Sequence, residues 1–146
     1  MAQYLEVVEA DATPVVWSAL RNEAQHVARS EPGLASILNA VILRHDRLAD
    51  ALSYQLARKL GDQELRALSL RELADEVYRT EPCIVAAAEA DLRAVFERDP
   101  ACKGYVQPLL FFKGFLALQA YRVAHWLWLE EREAMALYLQ SRMSEL

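Results

Sequence analysis

An all-α fold, a multi-helix bundle of about seven or eight helices, follows from three observations. Apolar residues recur at three and four positions along nearly the whole chain, no run of strand-like alternation stands between turn signals, and proline or glycine interrupts the pattern at helix-length intervals. With 146 residues, 54% of them hydrophobic and only four glycines, the chain can bury one core and is too short for two ordinary domains.

The elements follow in order. Thr13-Pro14 offers a capping hydroxyl and then a proline at the first helical position, where a missing N–H costs nothing. Val16, Trp17, Leu20, Ala24 and Val27 mark one face of that helix, which should stop near Ser30 before Glu31-Pro32-Gly33. Leu34, Ile37, Leu38, Val41 and Ile42 carry a second stripe, up to a joint at His45-Asp46. From Asp46 to Leu60, Leu48, Leu52, Leu56 and Leu60 form a third, and Gly61 is expected in the left-handed conformation that often ends a helix. Ser69-Leu70-Arg71-Glu72 has the form of a capping box, which predicts a helix opening there and ending near Thr80.

Glu81-Pro82 restarts the pattern. Cys83 to Arg98 is rich in good helix formers, with Ile84, Ala88, Leu92 and Val95 on the side expected to be buried. Asp99-Pro100 ends it, and Asp99 there either caps a helix begun by Pro100 or serves another purpose. After an irregular stretch from Ala101 to Gln107, Pro108 suits the start of one long apolar helix near 108–131, followed by a last segment from Ala134 to Leu146. Phe112, Phe115, Leu116, Tyr121, Trp126 and Trp128 cannot all lie on one stripe, so that helix is either central to the core or shared with another chain.

Composition excludes several functions. A net charge of −5 lacks the basic footprint of nucleic-acid or anionic-membrane binding, and no basic helix follows a tight turn, which disfavours a helix-turn-helix regulator. No uncharged stretch approaches the roughly 20 apolar residues that span a bilayer. The acidic amino terminus has no apolar core of a signal peptide, so the cytoplasm is the expected compartment. Cys83 and Cys102 form no metal or redox motif, and His26, His45 and His125 form no metal-ligand pattern. No phosphate loop and no nucleophile elbow are present. Met135 and Met143 read as packing. Lys113, Arg122 and His125 lie along the greasy helix, where half-buried cations need partners such as Asp91 or Glu97.

One block is more specific. Arg98-Asp99-Pro100-Ala101, Tyr105, Pro108-Leu109-Leu110, Lys113-Gly114-Phe115, Ala117 to Arg122 and His125 to Trp128 resemble the bacterial serine O-acetyltransferases. Trp17, Glu23-Ala24, Glu31-Pro32, Leu43 to His45, Ala51 to Tyr54 and Lys59-Leu60 extend the likeness over roughly residues 14 to 144. The resemblance implies transfer of an acetyl group from acetyl-CoA to L-serine, giving O-acetylserine for cysteine biosynthesis. It also implies two parts: an amino-terminal helical domain, and a left-handed β-helix of hexapeptide repeats that holds the catalytic His-Asp pair and the CoA groove.

This sequence stops at Leu146, about where those repeats would begin, and contains none of them. The expectation is therefore one helical domain over 1–146 with no catalytic residue of its own, no metal, no bound cofactor and no activity alone. Only Asp99 carries over as a substrate-binding residue, a carboxylate for the serine ammonium. His125 matches a structural position and is not recruited as the base. The resemblance further implies a homo-oligomer, a dimer of trimers joined through the helical domains. It places contact with O-acetylserine sulfhydrylase in a carboxy-terminal tail beyond this segment, and feedback inhibition by cysteine at the serine site. The alternative is an independent helical module that self-associates or binds a partner through the surface between Leu109 and Leu129.

Overall fold

Leu48, Leu52, Leu56 and Leu60 each fall on the same side of a helix, and all four are buried, because a spacing of four returns each leucine to the face of the last. The same arithmetic buries Val16, Trp17, Leu20 and Ala24 in the first helix. The computed structural model describes residues 13–146, and among these there are eight α-helices and no strand. They are α1 (Thr13–Ser30), α2 (Ala35–Leu38), α3 (Leu48–Leu60), α4 (Ala67–Thr80), α5 (Cys83–Arg98), α6 (Val106–Phe111), α7 (Lys113–Leu129) and α8 (Glu133–Met143). The side chains of Thr13 and Pro14, on which the expected helix start rests, and all residues before them, including those read against a signal peptide, lie outside the described residues. No helix among the described residues is long and apolar enough to cross a membrane.

Two hairpins organise the bundle, α3 with α4 and α7 with α8, and their inner faces meet through Leu56, Leu60, Leu70, Leu73, Ala120, Val123 and Leu139. The gap left between them is apolar and about 10 Å³, roughly the space of one water and no ligand site. After α1 the chain makes a 3₁₀ turn at Pro32–Leu34, then α2 passes directly into a π-helical segment, Asn39–Leu43. Side chains of α1 bond carbonyls at the end of this segment and just beyond it. Trp17 Nε1 donates to Asp46 O at 2.7 Å, and Arg21 donates to Leu43 O at 3.2 Å and to His45 O.

Several local expectations are corrected. Gly61 has φ −63°, not a left-handed value; a Cβ there would lie 2.8 Å from Ala57 O and 2.9 Å from Ala67 Cα. Close approach of the next helix, rather than positive φ, requires the glycine. That approach also starts α4 at Ala67, so Ser69 sits within the first turn and no capping box forms. The loop is closed instead by Asp62, whose Oδ1 accepts the amides of Glu64 at 2.9 Å and Leu65 at 2.7 Å. Its other oxygen accepts the Tyr138 hydroxyl at 2.8 Å, and Arg142 donates to Leu60 O at 3.0 Å, which docks α8 on this loop. The Leu65 amide and the Tyr138 hydroxyl hold the Asp62 carboxyl below the usual range.

The helix expected over 108–131 is two helices. α6 begins at Val106, two residues before Pro108, and ends at Phe111; Phe112, with φ −86° and ψ 106°, turns the chain before α7. The cause lies far away in sequence. Gln55, fully buried, donates from Nε2 to Leu109 O at 3.1 Å and Leu110 O at 3.4 Å, carbonyls at the end of α6 that lack a next helical turn. Arg58 fixes the amide by donating to its Oε1 at 3.1 Å.

Candidate functional site

Proline disfavours the helical conformation in the residue before it, and α5 accordingly ends at Arg98 with Asp99 extended at φ −96° and ψ 107°. No helix begins at Pro100, so Asp99 is not the N-cap of a following helix; it is the C-cap residue of α5, its amide donating to Val95 O. Its Oδ1 accepts the Ala101 amide at 2.9 Å and its backbone carbonyl accepts the Cys102 amide at 3.0 Å, an Asx-type turn that holds the carboxylate at the end of α5. Among the described residues Oδ2 accepts no hydrogen bond.

An open cleft runs beside this turn. Ala94, Val95, Arg98, Asp99 and Pro100 form one wall, and Phe112, Gly114 and Phe115 the other. The second wall exists because the chain breaks at Phe112; a continuous helix through 108–131 would present different side chains at this height. Gly114 has nothing within 4 Å of the position a Cβ would take, which keeps that rim low. One carboxylate at the edge of an apolar cleft suits a small ligand with a cationic group. Phe112 and Gly114 were not anticipated as cleft residues; the signal available was a glycine inside a helical pattern.

The other polar residues sort differently. Arg122 finds Asp91, one of its two expected partners: Nη2 donates to Oδ1 at 3.3 Å, Nη1 contacts Oδ2, and buried Gln119 donates to the same oxygen at 2.9 Å. Glu97, Lys113 and His125 are exposed, and His125 stacks on Tyr121 with ring centroids 5.7 Å apart. His26 is also exposed. His45 is buried, with Nε2–H donating to Ala40 O at 3.0 Å, and burial lowers its pKa. Buried Cys102 donates to Gly104 O at 3.0 Å, whereas Cys83 is exposed. No group of three metal-ligating side chains occurs among the described residues.

α7 shows why its bulky residues could not share one stripe. Phe115, Leu116, Val123 and Leu127 face the core, while Leu118, Tyr121 and Trp128 face outward at 40%, 53% and 47% exposure, and Phe111 at the end of α6 is also exposed. Within α7 the outward set is spaced by three and then seven positions, the spacing of a helix-packing seam.

Comparison with known proteins points to one family. Residues 16–120 match the family model described as serine acetyltransferase, N-terminal. A serine acetyltransferase of Escherichia coli (strain K12) is 46% identical over 130 residues, covering 89% of this chain and 48% of that protein. The chain thus spans about half the length of the curated relatives it matches. Among solved structures, a serine acetyltransferase in complex with CoA superposes with a TM-score of 0.89 at 46% identity, over 90% of this chain and 56% of that one. A soybean serine acetyltransferase complexed with serine gives 0.89 at 45%, over 92% and 56%.

Proposed function

The chain belongs to the serine acetyltransferase amino-terminal domain family, and from that premise we propose that it is the helical part of an enzyme that acetylates L-serine. In that reaction the serine hydroxyl oxygen attacks the thioester carbonyl of acetyl-CoA, the C–S bond breaks, and the hydroxyl proton ends on the CoA sulfur. O-Acetylserine, a precursor of cysteine, is the product. The role of this segment is to present Asp99 to the substrate ammonium. The observation that carries the reading is the Asp99 carboxylate fixed at the cleft edge, with Oδ1 engaged by Ala101 and Oδ2 accepting no hydrogen bond among the described residues. A charge-assisted hydrogen bond to an ammonium is among the stronger contacts available at such a rim. The solved relative complexed with serine supports the substrate class, and the one in complex with CoA supports the acyl carrier.

The general base and the acetyl-CoA groove belong, in this reading, to a β-helix half outside these 146 residues, and His125, exposed and stacked on Tyr121, takes no part in the chemistry. The cytoplasm is the proposed compartment. The outward seam of Leu118, Tyr121 and Trp128 supports self-association through this domain, with the dimer of trimers as the proposed assembly. Contact with O-acetylserine sulfhydrylase is assigned to a tail elsewhere. The same seam favours the second reading, a helical partner-binding module without any role in a serine pocket.

Steady-state kinetics of the full-length protein carrying this segment separates the two. Asp99→Asn should raise KM for serine by about tenfold or more and leave KM for acetyl-CoA in place, as expected when a contact to one substrate is lost. An unchanged KM for serine overturns the reading. The 146-residue chain alone, assayed by thiol release beside the full-length enzyme, should show no acetyl transfer.

A further inference from the structure

The carboxylate of Glu23, on α1, lies far in sequence from Asp99, yet it is joined to the Asp99 turn through a short series of bonds. Glu23 Oε2 accepts the amide of Val106, the first residue of α6, at 3.1 Å. Gly104 is pressed against the same group: a Cβ on it would come 2.7 Å from Glu23 Cδ and 2.9 Å from Oε1, and closer still to Oε2. From there Cys102 Sγ donates to Gly104 O at 3.0 Å, and the Cys102 amide donates to Asp99 O at 3.0 Å. The segment from Asp99 to Tyr105 has no helix or strand of its own, so its shape depends on such ties. Gly104 is buried here with nothing on its backbone that needs positive φ, which leaves room for the carboxylate as the reason for a glycine.

We propose that Glu23 is a positioning residue for serine binding: by clasping Gly104 and Val106 it sets the conformation of the 99–105 turn and hence where the Asp99 carboxylate stands in the cleft. This rests on the reading of Asp99 as the ammonium partner. Glu23 touches no substrate. Its effect passes through the backbone, and small displacements of a binding group are costly to affinity.

The test uses the full-length enzyme with three variants. Glu23→Ala removes the acceptor. Gly104→Ala keeps it but inserts a methyl where the carboxylate rests, and the cheapest relief is for the flexible Glu23 side chain to swing out. Glu23→Gln retains an oxygen able to accept the Val106 amide. Glu23→Ala and Gly104→Ala should each raise KM for serine about fivefold or more, well beyond any fall in kcat and without moving KM for acetyl-CoA. They should also speed hydrogen exchange at the amides of 101–106, and Glu23→Gln should restore most of the wild-type behaviour in both measurements.

The proposal is overturned if those amides exchange no faster, if they do and KM for serine stays put, or if Glu23→Gln is as damaging as Glu23→Ala. The last result would mean that charge, not the tie to the turn, carries the effect. Asp99→Asn run alongside separates the two levels. A large effect of Asp99→Asn with none from Glu23→Ala sinks only this inference, whereas a silent Asp99→Asn removes the site on which it rests.

Discussion

Gln55→Leu should cost the folded chain about 2 kcal/mol, because Gln55 holds the break at Phe112. Gln55 is fully buried and its amide gives one bond of 3.1 Å to Leu109 O and a longer one of 3.4 Å to Leu110 O. Leucine approximates the volume and provides no donor. Leaving a buried acceptor unpaired costs about 1–3 kcal/mol; the shorter bond is taken near the middle of that range, and the longer one adds a fraction of it. The apolar gain of the leucine offsets part, since it lies in a packed interior and adds no polar atom. A net loss of about 2 kcal/mol in a chain of this length lowers Tm by about 6 °C. Thermal and urea unfolding of the 146-residue chain, monitored by far-UV circular dichroism, would measure it. Gln55→Leu with an unchanged Tm and an unchanged urea midpoint would show that the end of α6 is satisfied some other way, and the account of the break would fall.

Two further outcomes follow from buried polar groups. The Tyr78 hydroxyl is buried with no hydrogen-bond partner among the described residues, and burial pushes its pKa up, so Tyr78→Phe should leave stability unchanged or raise it by up to about 1 kcal/mol; a loss larger than that in urea unfolding contradicts the assignment. His45 has a folded pKa below the unfolded value of 6.5, chiefly through burial, so between those two values the unfolded chain binds more protons than the folded one. Its contribution to stability is therefore complete above pH 6.5 and is lost as pH falls through and below that value. His45→Gln should flatten the difference between urea midpoints at pH 7.5 and 5.5; an identical difference in both proteins would refute the linkage.

Much of the fold is legible in residue order. The ends of α1 at Ser30, α4 at Thr80 and α5 at Arg98 fall where Glu31-Pro32, Glu81-Pro82 and Asp99-Pro100 require, because proline restricts the residue before it whatever the surroundings. The partnership of Arg122 with Asp91 was among the pairings expected, since a half-buried cation has few ways to avoid the cost of desolvation. The Ser69 capping box failed because a capping motif competes with tertiary contact: Gly61 packed against Ala67 starts α4 earlier, and Asp62 closes the loop. Pro108 sits inside α6 rather than opening it, since the clasp from Glu23 to Val106 begins the helix two residues before.

By itself, the order of residues determined that the described part of the chain is helical, where its prolines stop it, and which family it belongs to. Those features depend on nearest neighbours along the chain or on residue identity. The turn at Phe112, the cleft wall it makes and the seating of the 99–105 loop were decided only when distant side chains, Gln55 and Glu23, reached backbone groups they could bond. Backbone hydrogen bonding is a matter of which partner is closest in space, and that is set after the helices have packed.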